Sequence, residues 1–439
     1  MKKFILLTAC ISLLSLPLKS QNYADTDMVS VEKNPEVIKK IQPLNLDVLM
    51  VWKGRIYIIV YHEQDELSKL EQAQISYRIE SQNFYPSCQK QLEGQEEMSV
   101  QGGVNGDYHS YQEVEEELMA LEESYPQLAK LHDIGDSLEG RNIYAVKISD
   151  NAASDEQEAE VLFMGCHHAR EWISVEVPLL LAKYLVENYD HDPLIKALVD
   201  QSQIWVVPVL NPDGLEYSIH FYRYWRKNRR DNGDGSYGVD LNRNYGYKWG
   251  YDNQGSSSNP YSNVYRGKSP FSEPETRAVE GLFLQRDFQA LITYHNYSQI
   301  ILYPWGYTRD PSPQDDLLLD LASEMSRLIQ SVNGKFYGYG RAGESLYLTN
   351  GDTTDWALGV YGIPAYTIEL PPVDQLQGGF FNAEEDIQLI FNENLPAALY
   401  LIQWSIEQHA YPPPPPPPSN GGILIWKHPQ NRDDYKYLL

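Results

Sequence analysis

The chain has 439 residues, with 61 acidic against 35 basic side chains and a formal charge of -26. That length allows a large core and a smaller second unit. The acidic excess argues against nucleic acid and anionic membrane as partners and says little about the reaction; no segment after the first residues is long and apolar enough for stable membrane insertion. Three cysteines exclude a disulfide scaffold.

Residues 1–20 read as a secretory signal peptide. Lys2 and Lys3 form the basic end, Phe4 to Leu18 the apolar stretch, and a cut follows Ser20. A membrane anchor would need about 20 apolar residues. Leu7 to Cys10 resembles a lipoprotein box, but the apolar stretch before it is very short. A secreted or periplasmic protein is expected, retaining Cys88 and Cys166.

Residues 28–82 read as a small α+β unit. A strand at 28–32 and a helix at 34–41 lead into a hairpin of DVLMVW and RIYIIVYH. A helix at 65–73 and a strand at 74–79 follow. Residues 94–107 have a glycine-rich linker composition.

A longer α/β pattern begins with a helix at 111–125, whose Val114, Leu118 and Leu121 share one face. LAKLHDIG and NIYAVKISD form a hairpin. The apolar runs 160–165 and 204–210 suit buried strands, with a helix at 173–189 between them. Helices at 273–286, 315–332 and 384–406 alternate with strands at 290–295 and 365–370. The expected fold is α/β, a mixed central β-sheet with helices on both faces. Seven prolines (412–418) form a stiff spacer; residues 423–439 are too short to fold alone and carry no assigned role.

In VLFMGCHHAREWIS (161–174) four polar groups interrupt an apolar run. Glu171 lies three residues from His168 and four from His167. Both spacings put side chains on one face of a helical turn, so periodicity cannot choose the histidine. Zinc hydrolases combine such a pair with one distant ligand and keep a position open for water. His295, ending the strand ALITYH, can supply that ligand.

HAREW (168–172) resembles the His-x-x-Glu motif of the zinc metallocarboxypeptidase family. NPDG (211–214), WRK (225–227), DLNRN (240–244), SEPE (272–275), HNYSQ (295–299) and TIEL (367–370) follow in family order. The resemblance runs from about Tyr108 to Ile406, and a series of this kind is far more specific than a lone motif. It implies a secreted zinc-dependent hydrolase that removes C-terminal residues from peptides, acting as a monomer.

By position, the resemblance makes His168, Glu171 and His295 the zinc ligands and His167 a structural neighbour. Glu369 matches the catalytic carboxylate, and Arg226 the group that steadies the tetrahedral oxyanion. Asn242 and Arg243 match the pair that holds the substrate's terminal carboxylate. Tyr347 matches the tyrosine that closes over substrate, and Arg170 an outer subsite. Ala342, Asp352 and Thr354 resemble the pocket of the carboxypeptidase T branch, which accepts apolar and basic C-terminal residues. Asp352 would pair the basic ones, although Asn-Gly-Asp is also an ordinary turn.

The resemblance further implies a ferredoxin-like prosegment (22–95), acting as inhibitor, and a catalytic domain (108–408); composition marks a linker (96–107) before that domain and a proline-rich linker (409–422) after it. No lysine or arginine occurs from Gln91 to Ala129, so a trypsin-like activator would have to cut at Lys90 or earlier. The mature N-terminus is expected between Cys88 and Tyr108. DNGDGS (231–236) invites a calcium site, but it lacks EF-hand spacing and consists of turn formers. Two other readings are a zinc amidase of cell-wall or acyl-amino-acid substrates and a non-catalytic peptide-binding relative. Asn242, Arg243 and Tyr347 together disfavour the first, and an intact ligand and base set disfavours the second.

Overall fold

The structure, a computed structural model, describes residues 26–82 and 105–410, apart from 42–43, 45, 53–54, 63–64 and 375–377. The expected signal peptide, Cys88, most of the glycine-rich linker, the proline run and the tail lie outside these residues.

The first unit runs β1 (Thr26–Glu32), α1 (Pro35–Ile41), β2 (Asp47–Trp52), β3 (Arg55–Tyr61), α2 (Glu66–Gln72) and β4 (Tyr77–Ser81). Its strands lie in the order β2-β3-β1-β4 with antiparallel neighbours, a ferredoxin-like arrangement. Strand side chains alternate between faces, so Val29 and Val31 of β1 and Ile56, Ile58 and Val60 of β3 meet Ile41 and Leu70 of the helices in one core.

The larger unit starts with α3 (Tyr111–Ser124), closed by a capping box between Ser110 and Glu113. Next come β5 (Ala129–Asp136), β6 (Asn142–Ile148), β7 (Ala159–Met164), α4 (Ile173–Glu187), α5 (Pro193–Val199), β8 (Ser202–Val207) and α6 (Pro212–His220). Then follow α7 (Pro274–Phe283), β9 (Phe288–Asn296), β10 (Ile300–Tyr303), α8 (Asp315–Asn333), β11 (Gly338–Arg341) and the one-turn helices α9 (Ala342–Ser345) and α10 (Thr353–Trp356). Finally β12 (Ala365–Leu370) precedes α11 (Ile387–Ala410).

Eight strands form one sheet in the order β11-β10-β12-β9-β7-β8-β6-β5. The central strands β12, β9, β7 and β8 run parallel, while β10 is antiparallel to β12 and β6 to β8. All of β7 is buried. Val161 and Phe163 face one core with Leu185 of α4 and Leu401 of α11; Leu162 and Met164 face the other with Val279 of α7 and Trp356. The expected mixed sheet with helices on both faces is what forms.

The four-residue β10 and β11 were not expected, because they are too short to display a period of two. The segment ahead of α4 is anchored from a distance. Tyr108 packs on Trp172 with ring centroids 5.7 Å apart, while the His109 backbone N–H and ring reach both oxygens of the buried Glu176 on α4 at 2.9 and 2.7 Å.

Candidate active site

After β7 the chain goes out through α4 to β8 on one side of the sheet, and later enters β9 on the other side. Crevices beyond strand C-termini at such a reversal are where open α/β sheets bind ligands. The turn after β7 is tight. A Cβ on Gly165 would lie 1.9 Å from the Ser174 carbonyl oxygen, so only glycine lets the following HHARE segment fold back over α4.

That segment brings His168 Nδ1 to 2.9 Å from Glu171 Oε1. From β9, His295 Nδ1 stands 3.0 Å from both His168 Nδ1 and Glu171 Oε2. All three side chains are buried. His168 Nε2 faces Asp240 Oδ1 at 3.1 Å; a ring proton held there leaves the Nδ1 lone pair free for a metal. Two imidazole nitrogens and a carboxylate converging in this way fit the zinc donor set. His295 Nε2 is buried with no hydrogen-bond partner.

Burial tends to raise the Asp240 carboxyl, but Arg226, His168 and Arg243 outweigh it and hold it well below the usual range. Arg226 grips Asp240 Oδ2 through Nε and Nη2 at 3.0 and 2.8 Å. Its Nη1 lies 3.8 Å from Glu171. The loops carrying these residues are pinned by Asn228, which exchanges backbone hydrogen bonds with Val239 through its own backbone and side-chain oxygen. The Asn228 amide donates to both Glu273 and Glu275 at 2.8 and 3.1 Å.

On β12, Glu369 pairs in register with His295 of β9. Burial, then Glu171, pushes its carboxyl well above the ordinary range, while Arg226, Arg243 and Arg170 oppose the rise. Glu369 lines a cleft together with His168, His295, Arg226, Asn242, Arg243, Ala342, Tyr347, Asp352 and Thr354. Arg243 is buried and donates to the carbonyls of Gly255 and Asn242 at 2.8 and 2.6 Å. Tyr347 is 50% exposed, with the Arg243 guanidinium 5.9 Å above its ring.

Asp352 reaches the cleft and is also a helix cap. Its Oδ1 accepts from the Asp355 backbone and the Thr354 hydroxyl, each at 2.9 Å, and its Oδ2 from the Thr349 hydroxyl at 2.5 Å. Both roles expected for it are therefore compatible. Arg170 stands apart: it does not line the cleft, and its guanidinium stacks on Phe380 at 4.0 Å.

The calcium expectation is not supported. Asp231 accepts from the Gly233 backbone at 2.8 Å, and Asp234 from Ser236 backbone and hydroxyl at 3.0 and 2.6 Å. These carboxylates close their own turns, and no metal-holding group forms there among the described residues.

Several residues of the site escaped the sequence reading. Asp240 stood in the quoted DLNRN motif without a role. Thr367, two residues before Glu369, shares its strand face by alternation and lines the cleft. Its register partner Leu302 on β10 carries no local signal.

A buried N,N,O cluster beside a raised carboxyl and a guanidinium defines a metal-assisted hydrolase. Residues 114–397 match the zinc carboxypeptidase family. The chain is 38% identical over 282 residues to a zinc carboxypeptidase of Saccharothrix mutabilis subsp. capreolus, covering 62% of this chain and 63% of that relative, less than two thirds of its length. It is 36% identical over 273 residues to carboxypeptidase B of Astacus astacus, covering 60% and 86%. Among solved structures, bovine thrombin-activatable fibrinolysis inhibitor in complex with a tick carboxypeptidase inhibitor is 30% identical, with TM-score 0.62 over 69% of this chain and 98% of that one. Carboxypeptidase A from Helicoverpa armigera shares the fold at 24% identity, with TM-score 0.66 over 89% and 99%. The chain belongs to the zinc carboxypeptidase family. Its fold and its buried ligand cluster are those of a metallocarboxypeptidase.

Proposed function

We propose that this protein is secreted as a zymogen and releases single C-terminal amino acids from peptides, accepting apolar and basic residues. What supports the reading is one cleft lined by His168, His295, Glu369, Arg226, Asn242 and Arg243 together. A hydrolytic centre and a grip for a terminal carboxylate are then within reach of one substrate.

His168, Glu171 and His295 would hold the metal, which would supply a water acidified towards neutrality and a Lewis acid for the scissile carbonyl. Glu369 takes the proton from the attacking water on its carboxylate and hands it to the leaving amine nitrogen. Burial and Glu171 raise that carboxyl, and the nearby guanidiniums oppose the rise. Arg226, oriented by Asp240, directs Nη1 at the oxygen that gains charge. Asn242 and Arg243 hold the terminal carboxylate, an interaction a mid-chain amide cannot offer. Tyr347 closes over the bound residue, and Arg170 contacts the peptide further out.

Ala342 and Thr354 leave room for a large side chain, and Asp352 pairs with a cationic one. The T-like pocket reading stands on these three residues alone. Residues 22–95 act as the inhibitory prosegment.

The test is release of free amino acid from a peptide acid and from its C-terminal amide, with and without a chelator. Single-residue release from the acid only, abolished by chelation and restored by zinc, is expected. Equal cleavage of the amide would favour the amidase reading, and no release from either the non-catalytic one.

A further inference from the structure

The adjacent histidines after β7 divide their work. We infer that His167, acting through the Thr353 hydroxyl, is a positioning residue for Asn242: it fixes which edge of that amide meets the substrate's terminal carboxylate. The inference rests on the exopeptidase reading, in which Asn242 and Arg243 grip that group.

Hydrogen-bond direction carries the argument. The backbone N–H of Thr353, first residue of α10, donates to the Asn242 side chain at 2.9 Å. A backbone N–H can only donate, so the atom it meets is Oδ1, and Nδ2 with its two hydrogens takes the other edge of an amide that lines the cleft. The Thr353 hydroxyl also stands 2.9 Å from that Oδ1 and gives its single hydrogen there. Towards His167 Nε2, 3.0 Å away, the same hydroxyl can then only accept. The ring proton therefore sits on Nε2, shared with the Tyr245 hydroxyl oxygen at 2.8 Å. Nδ1 keeps the lone pair and accepts from the Thr293 hydroxyl at 3.1 Å.

Thr293, His167, Tyr245 and Thr353 are each 0% exposed. None can exchange its partner for bulk water, so every link in the chain constrains the next. The series runs from β9, which also carries His295, to the amide that meets substrate. An aliphatic residue at 167 could fill the space, but it would leave the Thr353 hydroxyl free to turn away from Asn242.

Three variants test this. Thr353→Val keeps the shape and the backbone N–H but loses the hydroxyl. His167→Leu removes the ring donor, and His167→Gln returns an amide N–H near the Nε2 position. Each is measured for kcat and KM on a peptide acid ending in Phe, for zinc content, and for the Kd of benzylsuccinate, a dicarboxylate that needs no turnover. Thr353→Val and His167→Leu are expected to raise KM and that Kd roughly tenfold, with kcat within about twofold and zinc content unchanged; His167→Gln should recover most of the loss. In an Asn242→Ala background, Thr353→Val should add nothing.

Unchanged KM and Kd in Thr353→Val would overturn the inference, as would a full additional cost in the Asn242→Ala background. A wild type that binds the dicarboxylate without releasing any residue refutes the exopeptidase activity alone, and the Kd of Thr353→Val still decides the role of His167. Failure of the wild type to bind the dicarboxylate sinks both.

Discussion

Where β9 and β12 end, His295 and Glu369 stand side by side because parallel strand pairing puts them there. Across the cleft, Asn242 sits in a three-residue helical turn, Asp352 caps the four-residue α10 and Tyr347 follows the four-residue α9. The first rim inherits its geometry from the backbone hydrogen bonds of a buried sheet. The second has too little regular structure to fix anything, so side-chain hydrogen bonds must do it, as Thr353 does for Asn242, or the residue stays loose. His295 is 1% exposed and Tyr347 is 50% exposed, a contrast that suits bond breaking on one side and adaptive recognition on the other.

If the two rims divide in this way, damage to the first should appear in kcat. Glu369→Gln is expected to lower kcat about 10³-fold, with KM within about threefold and zinc retained by elemental analysis. A comparable rise in KM instead would mean that both rims act as one binding surface.

A smaller and selective effect is expected on the other rim. Asp352→Asn preserves the helix cap, since asparagine caps as well as aspartate, but removes the charge. Peptides ending in Arg should lose roughly tenfold in kcat/KM, while those ending in Phe stay within about twofold. Equal losses on both would make Asp352 a turn residue and nothing more.

The smallest effect concerns what lies beneath the second rim. Glu275, under the loops carrying Arg226 and Asp240, has its carboxyl raised to about 8 by burial, with Glu273 adding to the rise. One of its oxygens has no partner. The folded protein therefore keeps a proton there that the unfolded chain gives up near the usual pKa of about 4.5. Stability falls as pH rises between those two values, by at most about 1.4 kcal/mol per pH unit. Glu275→Gln should flatten the melting temperature between pH 5 and 8, as read by calorimetry, without changing kcat. An unchanged slope would assign it to other groups.

The strand-end rim was largely legible in the sequence, because strong local patterns carry it: an apolar run broken by His-x-x-Glu, a strand ending in His295 and another ending in Glu369. Spacing alone left His167 and His168 equivalent. What separates them is tertiary: Asp240, 72 residues away, takes one, and Thr353, 186 residues away, takes the other. The strands β10 and β11 and the one-turn helices were missed for a related reason. They are too short to show a period, and pairing with distant chain defines them. Arg170, matched by its motif to an outer subsite, stacks its guanidinium on Phe380 and does not line the cleft.

The segment that leads into α3 bears on the proposed activation of a zymogen. Tyr108 and His109 fasten the start of the larger unit to Trp172 and Glu176, and Trp172 directly follows a metal-holding residue. Proteolysis within this stretch would detach the clasp and slacken the very loop it was meant to release. Under the zymogen proposal, a maturing cut that yields a competent enzyme has to fall upstream of Tyr108, and a few surplus residues at the new terminus would be harmless whereas a few missing ones would not.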